Sequence, residues 1–398
     1  VIDYVLKHSA AKITFVTEAS RDLVAAETEL VTQAWFEGDH TDVGALSPQD
    51  DALLMYTSGT TGRPKGVVHT HASLLAGGDN AALAHELTPA DRALCVLPLY
   101  HINGLCVTLM GALVSGGSLI IPSRFSVSEF WSDAATCSWF SVVPTQISYL
   151  LHDTRPFSRP ANLRFGRSAS APLSPDVQQA FEDRFGVPII ETMGLTETAA
   201  QILSNPMAGP RKIGSPGIAF GNEIIIADDK QREKPRGEEG EICVRGANVL
   251  REYRADPNAT QEALTPEGWL RTGDLGRMDD DGYVFVTGRL KELIIKGGEN
   301  IAPREIDEAL YTHPDVIEAG AFACSCERYG QRVEAAVKLS AGSTATPATL
   351  VSLCVERIGA FKAPDNVHIL ADLPKGPSGK IQRMRLAALT TSSGEATG

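Results

Sequence analysis

Short apolar runs alternate with longer amphipathic stretches through the first half of the chain. DALLMY (51–56), ALCVL (93–97), SLIIP (118–122) and SWFSVV (138–143) are short, β-branched or aromatic, and bounded by turn residues, which predicts strands. Between and after them, HASLLAGGDNAALAHEL (71–87) and TQISYLL (145–151) carry the helical period. The clearest helix is PDVQQAFEDRF (175–185): Ser174 is placed to cap it, Pro175 occupies its first turn, and Gly186 closes it. A buried strand, VPII (187–190), follows at once. Strands alternating with helices predict an α/β architecture around a largely parallel sheet.

From about residue 213 the pattern changes. NEIIIADD (222–229), GEICVRG (240–246) and LGRMDDDGYVFVTGR (275–289) are strands joined by turns, with DDDG as a hairpin turn, so a β subdomain is expected there. After Arg289 a smaller βααβ-like unit is predicted: PREIDEALYTH (303–313) as a helix, VIEAGAFA (316–323) and VEAAVKLS (333–340) as strands, and PATLVSLCVERIGA (347–360) as a helix. The tail TTSSGEATG is small and polar, so 391–398 are expected to be disordered.

Composition narrows the function. A 398-residue chain with 43% apolar residues has room for two or three domains. A net charge of −13 and a pI near 5.2, with no basic block, exclude nucleic acid and anionic membranes as partners. The most apolar stretch, Leu105 to Pro122, is interrupted by Gly111, Gly116 and Gly117 and is too short to span a bilayer. The seven cysteines have no zinc spacing and read as reduced, buried thiols of a cytoplasmic protein. The chain opens at Val1 without a charged-then-apolar leader, the mark of a fragment or a processed form.

One loop stands out against this background. YTSGTTGRPKGVV (56–68) joins glycine backbone, hydroxyls and a single lysine, the materials of an anion cradle or of a plain surface turn. It is not a Walker loop, because Pro64 stands where a motif beginning at Gly59 needs its second glycine. Five further clusters follow: PLYHINGL from Pro98, ETMGLTET from Glu191, WLRTGDL from Trp269, GRLKELIIKGGENIAPREIDE from Gly288, and PKGPSGKIQR from Pro374.

In this order the six clusters resemble the adenylate-forming superfamily, in its acyl-CoA synthetase branch, over nearly the whole chain. The resemblance implies a large α/β domain with a β subdomain over 1–288, its opening portion missing, and a small mobile α+β domain over 289–390. It implies ATP, Mg²⁺ and coenzyme A as cofactors. Thr57, Ser58, Gly59, Thr60, Thr61 and Lys65 match the loop that holds the β- and γ-phosphates. Thr196 matches an α-phosphate contact and Glu197 a Mg²⁺ ligand, in keeping with that cation's preference for oxygen. Ser170, Ala171, Thr192, Met193 and Gly194 complete the nucleotide-binding set, with Met193 replacing the family's frequent adenine-stacking tyrosine by a thioether. Asp274 matches the ribose ligand and Arg289 a second nucleotide contact. His101 matches a residue between the acyl pocket and the pantetheine channel, which Gly297 and Gly298 are implied to line. Lys291 matches the interdomain hinge and Lys380 the mobile catalytic lysine.

The implied reaction is ATP-dependent activation of a carboxylic acid as acyl-AMP, with release of pyrophosphate, followed by transfer to CoA. GRSASAPLSPD (166–176) and TETAAQILSNP (196–206) look like the branch that activates oxalate, malonate and other small acids, although oxalate-specific members carry histidine where this chain has Ala200. The acyl pocket is expected to be small and lined from PLYHINGL, 142–145 and 193–201. Two alternatives stay open: a ligase that loads a carrier protein, and a non-catalytic nucleotide-binding remnant. A homodimer is an open expectation. His69 and His71 are expected to be surface residues at a helix start.

Overall fold

The computed structural model describes residues 2–24, 29–30, 44–57, 64–376 and 379–392. Its largest sheet has seven strands. Five run parallel in the spatial order Ile189–Gly194, Phe165–Ser168, Trp139–Val142, Arg92–Cys95, Ser118–Ile120, and Gln201–Ser204 with Ile218–Ala219 add an antiparallel edge beside the first. The central strands Trp139–Val142 and Phe165–Ser168 are buried at every position, and WFSV reads as the mostly apolar run expected of a strand covered on both faces. Helices Pro144–Leu151 and Pro175–Phe185 help cover one face, where Phe130, Phe140, Ile147, Leu150, Phe181 and Phe185 meet in the main core. Each such side chain contributes about 1.5–3 kcal/mol relative to exposure.

The helix at 175–185 begins and ends where the sequence predicts, and Gly186 closes it at φ +61°. Ser174 holds the capping position, but its buried hydroxyl makes no capping bond, so that expectation is corrected.

Packing at Gly166 is tight. A Cβ there would lie 2.2 Å from the buried Phe140 ring and 2.8 Å from Ile189. Gly166→Ala should therefore destabilise the protein by about 1–3 kcal/mol, as overpacking does. Chemical denaturation read by intrinsic fluorescence would test this, and an unchanged midpoint would show that the sheet can move apart there.

Asp51–Thr57 pairs antiparallel with Lys65–Thr70, and Glu252–Tyr253 adds a third strand. The predicted β region is a four-stranded antiparallel sheet of Glu223–Ala227, Gly240–Arg245, Leu270–Met278 and Val284–Arg289. Its DDDG turn closes with Asp279 Oδ1 accepting from the amides of Asp281 and Tyr283 and with Gly282 at φ +86°.

The last sheet comprises Glu299–Ile301, Ile294–Lys296, Gly330–Leu339 and Val316–Cys326, with Asn366–Ile369 parallel to the long Gly330–Leu339 strand. Its element order is strand, strand, helix, strand, strand, helix, strand, helix, which corrects the βααβ expectation. The opening hairpin escaped notice because its strands are three residues each, and Asn366–Ile369 because only alternate residues are apolar. A terminal helix, Arg383–Ser392, packs on this sheet, so the first residues of the expected disordered tail are helical; 393–398 lie outside the described residues. Among the described residues no helix is long and apolar enough to cross a membrane. All seven cysteines are free, and all but Cys326 are buried.

Candidate active site

Thr57 and Lys65, the described residues that flank the Gly/Ser/Thr segment, pair with each other across two antiparallel strands. Ser58, Gly59, Thr60 and Thr61 lie outside the described residues. The Lys65 ammonium sits 4.8 Å from the Tyr253 ring centroid. The Tyr253 hydroxyl in turn donates to Glu197 Oε1 at 2.8 Å. A cation–π contact and a charge-assisted hydrogen bond thus connect two segments far apart in sequence.

Thr196 and Glu197 occupy a short helical turn directly after the Ile189–Gly194 strand, which carries Thr192, Met193 and Gly194. Gly194 has a steric reason: a Cβ would lie 2.4 Å from the Ala200 carbonyl oxygen. The turn is braced from beneath by His69, whose Nε2–H donates to the Thr196 carbonyl at 2.7 Å while Nδ1 pairs with Ser73 Oγ at 3.2 Å. His69 is fully buried, so its expected place on the surface is corrected; His71 does start the helix, half-buried. Burial pushes the pKa of His69 down, which keeps the ring neutral and able to use one nitrogen as donor and the other as acceptor. His69 looked like a surface residue because only the neighbouring strand, not its own sequence, shows what covers it.

Asp274 and Arg289 face each other across two strands, with Arg289 Nε 3.2 Å from Asp274 Oδ1. Asp274 sits within the strand Leu270–Met278. Burial pushes its pKa up, and Arg289 and Lys380 pull it part of the way back. Arg289 is held charged, chiefly by Asp274.

Lys380 comes to this cluster from the C-terminal sheet: its Nζ lies 3.4 Å from Glu292 Oε1, and Arg383 Nε lies 3.3 Å from Glu292 Oε2. Arg383 also pairs with Asp307 at 2.6 Å. Sequence reading missed Glu292, Asp307, Arg383, His69 and Tyr253; the carboxylate of KELIIK and the final arginine of PKGPSGKIQR were its available signals. Lys291 is exposed in the turn Leu290–Glu292, between the two sheets.

A cavity of about 70 Å³ lies beside Lys380, lined among others by Val143, Thr145, Ser170, Ala171 and Arg304. Ser170 takes φ +75°, unusual for a residue with a Cβ, and its hydroxyl receives a hydrogen bond from Asn103 Nδ2 at 3.1 Å. His101 is half-buried two residues before Asn103, whose amide donates to its Nδ1 at 3.3 Å, and burial lowers its pKa. Gly297 and Gly298 stand apart, at φ +61° and +90° in an exposed hairpin turn that few other residues could form.

Comparison with known proteins accounts for this arrangement. The AMP-binding enzyme family model matches residues 2–254, and that of the AMP-binding enzyme C-terminal domain matches 305–380. The chain belongs to the AMP-binding enzyme family. It is 48% identical over 96% of its length to a sulfoacetate–CoA ligase of Cupriavidus necator, covering 79% of that protein. It is 40% identical to an oxalate–CoA ligase of Arabidopsis thaliana, over 85% of this chain and 68% of the relative. Among solved structures, ATP-bound MatB from Rhodopseudomonas palustris superposes with a TM-score of 0.90 at 30% identity, over 98% of this chain and 81% of that one. Like these relatives, this member of the AMP-binding family is an acid–CoA ligase of the adenylate-forming fold, using ATP, Mg²⁺ and CoA.

Proposed function

We propose that this ligase activates a short acid bearing a second acidic group, beside the cavity where Lys380 meets Ser170. The observation that carries the reading is the convergence of Lys380, Asp274, Arg289, Glu292 and Glu197 from separate segments into one electrostatic cluster. The names of the relatives, acting on sulfoacetate and on oxalate, support the acid class.

In this reading Thr57, Lys65 and the residues between them hold the nucleotide's phosphates. Asp274 accepts from both ribose hydroxyls, and Arg289 orients Asp274 and the α-phosphate end. Glu197 suits Mg²⁺: it is one half-buried carboxylate with phosphate oxygens to complete the shell, as that ion prefers, and the ion would offset phosphate charge. Thr192, Met193 and Gly194 border the adenine, Met193 by apolar contact. Ser170 and Ala171 border the α-phosphate and carboxylate, and His101 the passage towards CoA.

Lys380 bridges carboxylate and α-phosphate during adenylation. Residues 289–390 then turn about Lys291 to withdraw it and bring Gly297 and Gly298 to the pantetheine path. The present attachment is held by Ser148 Oγ donating to the Ile317 carbonyl at 2.6 Å and by Tyr149, which with Lys375 bonds the buried Glu318. Work in the cytoplasm fits the free, buried thiols.

The substrate class is tested by kcat/KM for CoA-thioester formation across an acid panel. Oxalate, malonate and sulfoacetate should exceed palmitate by at least about 100-fold, since methylenes that cannot be buried gain nothing and clash. Palmitate as the best acid would overturn the reading.

A further inference from the structure

The floor of the parallel sheet holds a charge with no counter-charge. Arg167, in Phe165–Ser168, is 1% exposed. Its Nη1 donates to Asn103 Oδ1 and to Ser141 Oγ at 3.1 Å, and its Nε to Gln201 Oε1 at 3.0 Å. All these acceptors are neutral and buried. His85, which shares Gln201 Oε1 at 3.1 Å, is kept neutral by burial. Among the described residues no carboxylate lies within ion-pair distance of Arg167.

Three arginines around Lys380 are each paired with carboxylates: Arg289 with Asp274, Arg304 with Glu308, and Arg383 with Asp307 and Glu292. Leaving a guanidinium buried without an anion is costly, and burial presses its pKa down to about 9. A structural arginine would be expected to come with its own carboxylate.

Asn103 connects this charge to the cavity. Its Oδ1 accepts from Arg167 while its Nδ2 donates to Ser170, which lines the cavity together with Lys380. Ser170 therefore shares its cavity with Lys380 and is connected through Asn103 to Arg167.

We propose that Arg167, presented through Asn103, is the subsite for the second acidic group of the substrate, a carboxylate or sulfonate one or two carbons from the reacting carboxylate. This rests on the small-diacid reading above. The reacting carboxylate lies under Lys380, and the second anion supplies the counter-charge that the sheet withholds. Because the guanidinium is buried behind Asn103, its charge reaches the carboxylate or sulfonate through the Asn103 amide and not by direct contact.

The test compares sulfoacetate, oxalate and malonate with butyrate, in which an uncharged ethyl group replaces malonate's second carboxylate. Arg167→Gln should lower the ratio of kcat/KM for malonate over butyrate about 30-fold, with Arg167→Lys recovering much of it. Asn103→Asp, which sets a carboxylate against Arg167 inside the protein, should lower the same ratio and keeps the question open to test if Arg167→Gln does not fold. Folding is checked by the thermal shift that ATP produces. If malonate and butyrate fall in parallel in folded Arg167→Gln, or Asn103→Asp keeps the wild-type ratio, the subsite is overturned while the substrate reading stands. If the wild-type enzyme uses butyrate as well as the three diacids, the substrate reading fails, and the subsite fails with it.

Discussion

Lys380→Ala should depress adenylation by a factor on the order of a thousand and leave thioester formation from a preformed adenylate nearly unchanged. The first step brings an anionic carboxylate against an anionic α-phosphate, and a cation between them offsets their repulsion as charge develops. In the proposed mechanism Lys380 is that cation; it is half-exposed and only loosely held by Glu292 at 3.4 Å. Its neighbour Gly379, at φ +79°, fits closely against Val143 and Thr145, where a Cβ would come within 3.2 Å of Val143, so the lysine reaches the site on a close-packed turn. The check uses chemically prepared acyl-adenylate with CoA for the second step and acid-dependent pyrophosphate exchange for the first. Equal losses in both would mean that Lys380 acts throughout or supports the fold, and rotation about Lys291 would have to be abandoned.

Asp274→Ala should weaken both half-reactions, because the ribose is held in the ATP complex and in the adenylate alike. Losing the acceptor of two hydroxyls and the partner of Arg289 should cost about 3 kcal/mol, on the order of a hundredfold in kcat/KM. The pH dependence follows from the direction of its pKa. Only the carboxylate accepts from both hydroxyls, and burial raises the pKa in the free enzyme. Activity at low ATP should therefore fall with acidification at a pH above the ordinary aspartate range, and Asp274→Asn should remove that limb. An acid limb that persists unchanged in Asp274→Asn would belong to another group.

Of the proposed site, only the Gly/Ser/Thr loop with Lys65 stands out by composition alone; Thr196, Glu197, Asp274 and Lys380 are singled out by the family resemblance of the clusters around them. The helix at 175–185 was legible because proline and glycine mark its ends. What escaped were residues whose meaning is a partner distant in sequence. Arg167 reads as one charge in GRSASAPL until the sheet sets Asn103, Ser141 and Gln201 around it and no carboxylate. His69 reads as polar surface until the Thr196 carbonyl, far along the chain, accepts its hydrogen bond. Glu292 and Arg383 acquire a role only when the C-terminal sheet brings them together beside Lys380.

The central claim is that an acyl-adenylate forms as a separate first step, built by Lys380 before CoA enters. Acid-dependent exchange of labelled pyrophosphate into ATP, measured with purified protein and no CoA, tests it most directly. The account predicts exchange that requires Mg²⁺ and a short diacid, is saturable in both, and is nearly abolished by Lys380→Ala. Exchange that appears only after CoA is added, or that is indifferent to the acid supplied, would contradict it.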